Sequence, residues 1–122
     1  MNKALCCARA AIDKKAENLK VLDLSGISGF TDYFVICSGT SDRQVQAITD
    51  SIDHAMRSSG HDTLSTEGYN EGRWVVMDFG EVVVHVFQQT IREYYDLETL
   101  WSDAPKVSVP PDFYGPAGSR IN

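Results

Sequence analysis

Apolar residues recur at steps of three and four at the start of the chain: Leu5, Ala8, Ile12, Ala16 and Leu19. That spacing predicts one amphipathic helix over residues 4–19, with Lys14, Lys15 and Glu17 off the stripe. The pattern then shortens. Val21-Leu22-Asp23-Leu24 is apolar and is broken by Ser25–Gly29, which reads as a strand and a turn. Tyr33–Ser38 is β-branched and aromatic without alternation, the pattern of a strand buried on both faces. Ser41 followed by Gln44 is a capping-box spacing, so a helix should start there. Val45, Ile48, Ile52, Ala55 and Met56 form its stripe, and Gly60 is placed to stop it. Strand, tight loop and helix in that order make half of an α/β unit.

The second half reads mostly as strands. Thr63–Glu67 predicts a short one, and Arg73–Asp78 with Val82–Phe87 predicts a hairpin around Phe79-Gly80-Glu81. A turn centred on Phe79-Gly80 sets Met77 opposite Val82 and Trp74 opposite His85. Alternation then divides the hairpin. Val75, Met77, Val82, Val84 and Val86 form an apolar core face, with Arg73 at its outer end. Trp74, Val76, Asp78, Glu81, Val83, His85 and Phe87 form the other. Aromatics with polar companions on one sheet face suit a recognition surface. The competing reading has a second helix layer over this face and His85 as a satisfied structural histidine. Residues 91–101 predict a short helix and then an irregular segment. From Ser102 on, four prolines and two glycines in 21 residues predict an extended, partly disordered tail over 103–122, after a domain of residues 1–102.

The length of 122 residues suits a single domain that can bury a core without staples. Cys6, Cys7 and Cys37 are odd in number and lack framework spacing, which excludes a disulfide scaffold and favours a reducing compartment. No apolar run approaches the roughly 20 residues of a membrane span. Arg9 and Asp13 interrupt the first apolar stretch too early for a signal peptide. The net charge is −6, unevenly spread. Residues 1–20 carry +3, and the remaining body carries −9. Such a body is poorly suited to grip nucleic acid and well suited to meet a basic protein.

Candidate chemistry is sparse. His54, His61 and His85 show no metal-binding spacing with one another or with the cysteines. Ser38-Gly39-Thr40-Ser41 joins a buried strand to a helix N-terminus, where phosphates can bind. It resembles the Gly-Ser loop of nucleotidyltransferases, which also need paired carboxylates on a following strand to hold two metals. No such pair is present, so a helix cap and tight turn is the better reading. A nucleotidyltransferase-like enzyme or nucleotide-binding module using Ser38–Ser41 remains the alternative. No catalytic residue, cofactor or metal is assigned.

Five segments, in order and spacing, carry a family resemblance. They are DYFVICSGTS (residues 32–41), EGY (67–69), GRWV (72–75), DFGEVVVHVF (78–87) and REYYDLETLW (92–101). Together they resemble the ribosomal silencing factor, or Iojap, family over roughly residues 5–105. The resemblance implies an α/β fold with a mixed sheet and flanking helices, nucleotidyltransferase-like but without the catalytic carboxylate pair. It implies a non-enzymatic translational repressor that binds the large ribosomal subunit through ribosomal protein L-fourteen and sterically blocks small-subunit joining. A homodimer and a cytoplasmic location are further expectations, with no membrane and no direct nucleic-acid readout. Carried over to this chain, the partner surface comprises Trp74, Asp78, His85, Tyr94, Tyr95, Leu97 and Glu98. Trp74 and Tyr95 would be apolar anchors, and Asp78 and Glu98 would meet Lys or Arg of the partner. His85 would touch the partner or orient its neighbours.

Overall fold

A computed structural model describes residues 2–114. In chain order the elements are α1 (Asn2–Asp13), β1 (Glu17–Asp23), β2 (Tyr33–Gly39), α2 (Asp42–Ser58) and β3 (Ser65–Glu67). Then follow β4 (Trp74–Asp78), β5 (Val82–Gln88), α3 (Gln89–Tyr95), α4 (Leu97–Leu100) and β6 (Lys106–Val107). The strands form one mixed sheet in the order β3-β4-β5-β2-β1-β6. β2 and β5 run parallel at its centre, and every other pairing is antiparallel.

Each sheet face carries its own apolar cluster. The first packs Val21, Val35, Cys37, Val75, Met77, Val82, Val84 and Val86 against α1 and α2. The second gathers Leu22, Phe34, Ile36, Val83 and Phe87, with Trp74, Ile91, Leu97 and Trp101 packed onto it. Helices thus flank both faces: the second is covered by the short α3 and α4, with Trp101 and Ala104 packed beside them. Among the described residues, no helix is long and apolar enough to cross a membrane.

The first helix ends earlier than its stripe predicts. Ala16 N–H bonds Ala11 O at 3.1 Å and Lys15 N–H bonds Ile12 O at 2.8 Å, the paired closure of a left-handed helix stop. Lys15 takes φ 61° in place of the usual glycine. Leu19 is therefore in a strand, although it lies at helical spacing from Ala16. The predicted start of α2 is met. Ser41 Oγ accepts the Gln44 N–H at 3.1 Å, while Gln44 Oε1 reaches back to Thr40 N–H at 2.7 Å. Gly60, at φ 86°, closes the helix as expected.

The hairpin register is shifted by two residues. Trp74 lies opposite Phe87, Val76 opposite His85 and Asp78 opposite Val83. Phe79 N–H bonds Val82 O at 2.9 Å, so the tight turn is Gly80-Glu81, with Gly80 at φ 87°. Only glycine takes that conformation without strain, which moves the turn's centre by one position. A shift of two preserves the face of every side chain. The described stretch after Ser102 is joined to the domain and ends in a 3-10 turn at Pro111–Tyr114. β6 pairs with β1, Ala104 is buried, and Phe113 lies under the Arg9 guanidinium at 5.2 Å. The part of the expected tail from residue 115 lies outside the described residues.

Candidate functional site

The second sheet face carries a run of rings, buried in its middle and open at its ends. Trp74 of β4 stacks on Phe87 at 4.8 Å and meets Tyr95 of α3 at 4.9 Å. Tyr94 packs edge-on to Tyr95 at 5.1 Å. In the other direction His85 meets Phe34 at 4.6 Å, and Phe34 meets Phe30 at 6.5 Å. Both ends of the run are open to solvent: Tyr94 is 80% exposed, Tyr95 55% and Phe30 67%. A groove of about 260 Å³, lined by Glu71, Arg73, Trp74, Ile91 and Tyr95, opens beside the indole. Large rings half in the core and half in water, beside a slot, are of the kind that suits protein docking.

Local sequence explains the placement. Trp74 begins β4 because Gly68 makes room for it: a Cβ on Gly68 would sit 2.1 Å from Trp74 O. Tyr95 ends α3 because Asp96 takes a left-handed conformation, φ 47°, and its N–H closes on Arg92 O at 2.9 Å. α4 then turns Leu97 back onto the second cluster.

The seven residues expected at the partner surface divide. Trp74, His85, Tyr95 and Leu97 come together with Tyr94 beside them, but His85 is floor and not rim. It is 6% exposed, and its Nδ1 accepts the Trp74 indole N–H at 3.1 Å. Asp78 stands four residues further along β4, roughly 13 Å from Trp74. There its Oδ1 accepts Gly80 N–H at 2.8 Å. Glu98 is already occupied. Oε1 accepts Arg92 Nε at 2.8 Å and Oε2 meets Lys20 Nζ at 2.8 Å. The Arg92 hydrogen bond, with help from Lys20, holds the Glu98 carboxyl down to about 2. Glu98 is thus held by two cations of this chain, with part of its side chain still open to solvent.

Two residues escape the sequence pattern. Phe30 sits in a loop without periodicity, so its exposure on the Trp74 face has no signal beyond its ring. Arg92 reads in the sequence only as part of a helix. It is 4% exposed, with Nη1 on Ser38 Oγ at 2.8 Å. A lone buried arginine implies a buried acceptor, and the nearby Glu98 is the available clue.

The Ser38–Ser41 loop spends its donors internally. Gln44 takes the Thr40 N–H and hydroxyl, Ser41 takes the Gln44 and Val45 N–H groups, and Asp42 takes the Arg43 N–H. Arg92 holds the Ser38 hydroxyl. A phosphate would have to displace these bonds. Among the described residues, no group of three His, Cys, Asp or Glu side chains could hold a metal ion. Burial pushes the Cys37 thiol up to about 12 and the Cys7 thiol higher still, far from nucleophilic use.

The sequence profile of a family described as "Ribosomal silencing factor during starvation" matches residues 1–119. The chain belongs to the ribosomal silencing factor family. A protein of Bacillus subtilis named ribosomal silencing factor RsfS is 51% identical over 98 residues, spanning 80% of this chain and 83% of its own. One of the same name from Halalkalibacterium halodurans is 47% identical over 100 residues, spanning 82% and 86%. A crystal structure of a Chromobacterium violaceum protein shares the fold at a TM-score of 0.82 and 33% identity. It covers 89% of this chain and 90% of that one. The shared fold therefore takes in both helical layers and the sheet between them.

Proposed function

We propose that this chain is a translational repressor of the cytoplasm. It binds the large ribosomal subunit through ribosomal protein L-fourteen and prevents the small subunit from joining. The observation that carries the reading is the Trp74–Tyr95 face: a half-open aromatic pair with its own groove, in a chain of the ribosomal silencing factor family. Trp74 and Tyr95 are the apolar anchors, with Leu97 packed on the same apolar cluster and Tyr94 at the rim. Asp78, at the far end of the same face, meets a basic group of the partner. The charge of −6 favours a basic protein surface over bare ribosomal RNA.

The mechanism is steric and non-enzymatic. A 122-residue domain has a radius of gyration near ~14 Å, so a bound copy occupies the space the small subunit needs. Repression is then stoichiometric, with one protein or one dimer per silenced subunit, and needs no nucleotide or metal. The test is subunit joining followed by light scattering, with the protein titrated against a fixed amount of large subunit. Inhibition should saturate at a fixed ratio and yield to excess small subunit. Progressive inactivation by substoichiometric protein would mean turnover and overturn the reading.

A further inference from the structure

Tryptophan's indole nitrogen can only donate. The 3.1 Å contact between Trp74 Nε1 and His85 Nδ1 therefore defines the histidine: Nδ1 carries no proton, and a neutral ring must carry it on Nε2. That Nε2 is buried and has no hydrogen-bond partner among the described residues. The imidazole is wedged between Phe34, edge-on at 4.6 Å, and Phe87, stacked at 6.1 Å. A phenyl ring would fill this slot without burying an unmatched donor, so histidine is a costly occupant for the fold. What it supplies, and a phenyl cannot, is the acceptor for Trp74.

Trp74 has a use for that acceptor. Its contacts with Phe87 and Tyr95 are ring against ring. Such contacts set the plane of an indole but leave open the roughly 180° flip about χ2 that exchanges its two edges. The hydrogen bond removes that freedom and decides which edge faces the groove. We propose that His85 is a positioning residue of the docking face: it selects the χ2 rotamer of Trp74, and so the indole edge, that a large-subunit protein meets. This rests on the docking reading above and replaces a contact role for His85 with an internal one.

The surroundings keep the imidazole in this state. Its flanking rings, Phe34, Trp74 and Phe87, and its register neighbours, Ile36 and Val76, carry no group that is charged at neutral pH. On the covering helices, Tyr95 lies against Trp74, while Arg92 and Glu98 are paired with each other. Burial holds the His85 pKa down to about 4, so Nδ1 stays an acceptor at neutral pH.

The test uses the full chain with His85→Phe, which keeps ring and volume but removes the acceptor, and His85→Gln, which offers an acceptor oxygen. Three quantities are read: melting temperature, affinity for purified large subunits, and the NMR resonance and solvent exchange of the Trp74 indole N–H. His85→Phe should melt no lower than the parent, bind at least tenfold more weakly, and show a shifted, faster-exchanging indole N–H. His85→Gln should recover affinity to within threefold of the parent. A folded His85→Phe that binds within twofold of the parent overturns the proposal. Trp74→Ala is measured alongside: if it binds as the parent does, the docking reading fails, whereas the indole resonance still reports the Trp74–His85 pair. Should His85→Phe not fold, a pH series on the parent decides. The indole resonance should hold from pH 7.5 to about 5.5 and move as the imidazole charges. An imidazole that titrates without moving it overturns the proposal.

Discussion

Arg92 and Glu98 clamp the two short helices together. Arg92 Nε reaches Glu98 Oε1 at 2.8 Å while its Nη1 holds Ser38 of β2 at the same distance. The guanidinium is nearly inaccessible, so the carboxylate is what compensates its buried charge. Removing Glu98 leaves a buried cation with only a neutral hydroxyl. Glu98→Ala should destabilise the fold by about 2 kcal/mol, below the roughly 3–5 kcal/mol of fully buried pairs because Glu98 keeps some solvent. Urea midpoints at neutral pH measure it. Lys20→Ala, which removes only the exposed partner of the same carboxylate, should cost less than about 1 kcal/mol.

Two depressed pKa values give the acid limb of stability a definite sign. Burial lowers His85 from 6.5 to about 4. Between these values the unfolded chain takes up a proton that the fold refuses, so stability rises with pH through that window. It is complete above 6.5 and falls as pH drops toward 4, by at most roughly 3 kcal/mol. Glu98, lowered from 4.5 to about 2 mainly by Arg92, acts in the same direction in a lower window. Its contribution is full above 4.5 and is lost as pH falls toward 2. Urea midpoints at several pH values should therefore drop in two stages. His85→Phe should flatten the upper stage and leave the lower one.

Much of the fold is legible in the chain because local chemistry and tertiary demand agree. Ser41, Gln44 and Gly60 bracket α2, and the alternation of β4 and β5 sorts the purely apolar face from the aromatic one. Two of the failures share a cause. The stop of α1 at Lys15 and the turn at Gly80-Glu81 depend on which residue takes a positive φ, and a lysine gives no warning of that. β6 forms only because Asp23 N–H finds Pro105 O at 2.8 Å, a contact 82 positions apart in a proline-rich stretch. The site's rings are visible as residues. Their division into floor, rim and ion-paired clamp is not, since that depends on how α3 and α4 fold back over β2 and β5.

Gly68 tests how tightly the docking residues are tied to the backbone beneath them. Its φ is 86°, and an added Cβ would sit 2.1 Å from Trp74 O. Neither atom can give way without moving the start of β4. Gly68→Ala should cost at least about 2 kcal/mol and weaken binding by displacing Trp74. Gly60 has the same φ with nothing within 4 Å. Gly60→Ala should cost only about 1 kcal/mol, with binding unchanged. Thermal melts of the two variants separate conformational strain from collision.

Trp74 and Tyr95 touch, but the fold depends on them unequally. Trp74 is half-buried, stacked on Phe87 and bonded to His85, so its removal disturbs the core as well as the surface. Tyr95 is the cleaner probe: it is mostly exposed, and its ring meets Trp74 and Tyr94 at the surface. If the pair anchors a ribosomal protein, Tyr95→Ala should leave the melting temperature nearly in place. It should weaken binding by at least ~1.4 kcal/mol, a tenfold loss. Trp74→Ala should lose at least ~2 kcal/mol of binding, roughly 30-fold, together with some stability. Because both truncations open the same groove, the double variant should lose less than the sum of the two. Affinities for the purified large subunit, with melts of each variant, decide the matter. A Tyr95→Ala protein that binds and represses like the parent would move the docking surface away from this face.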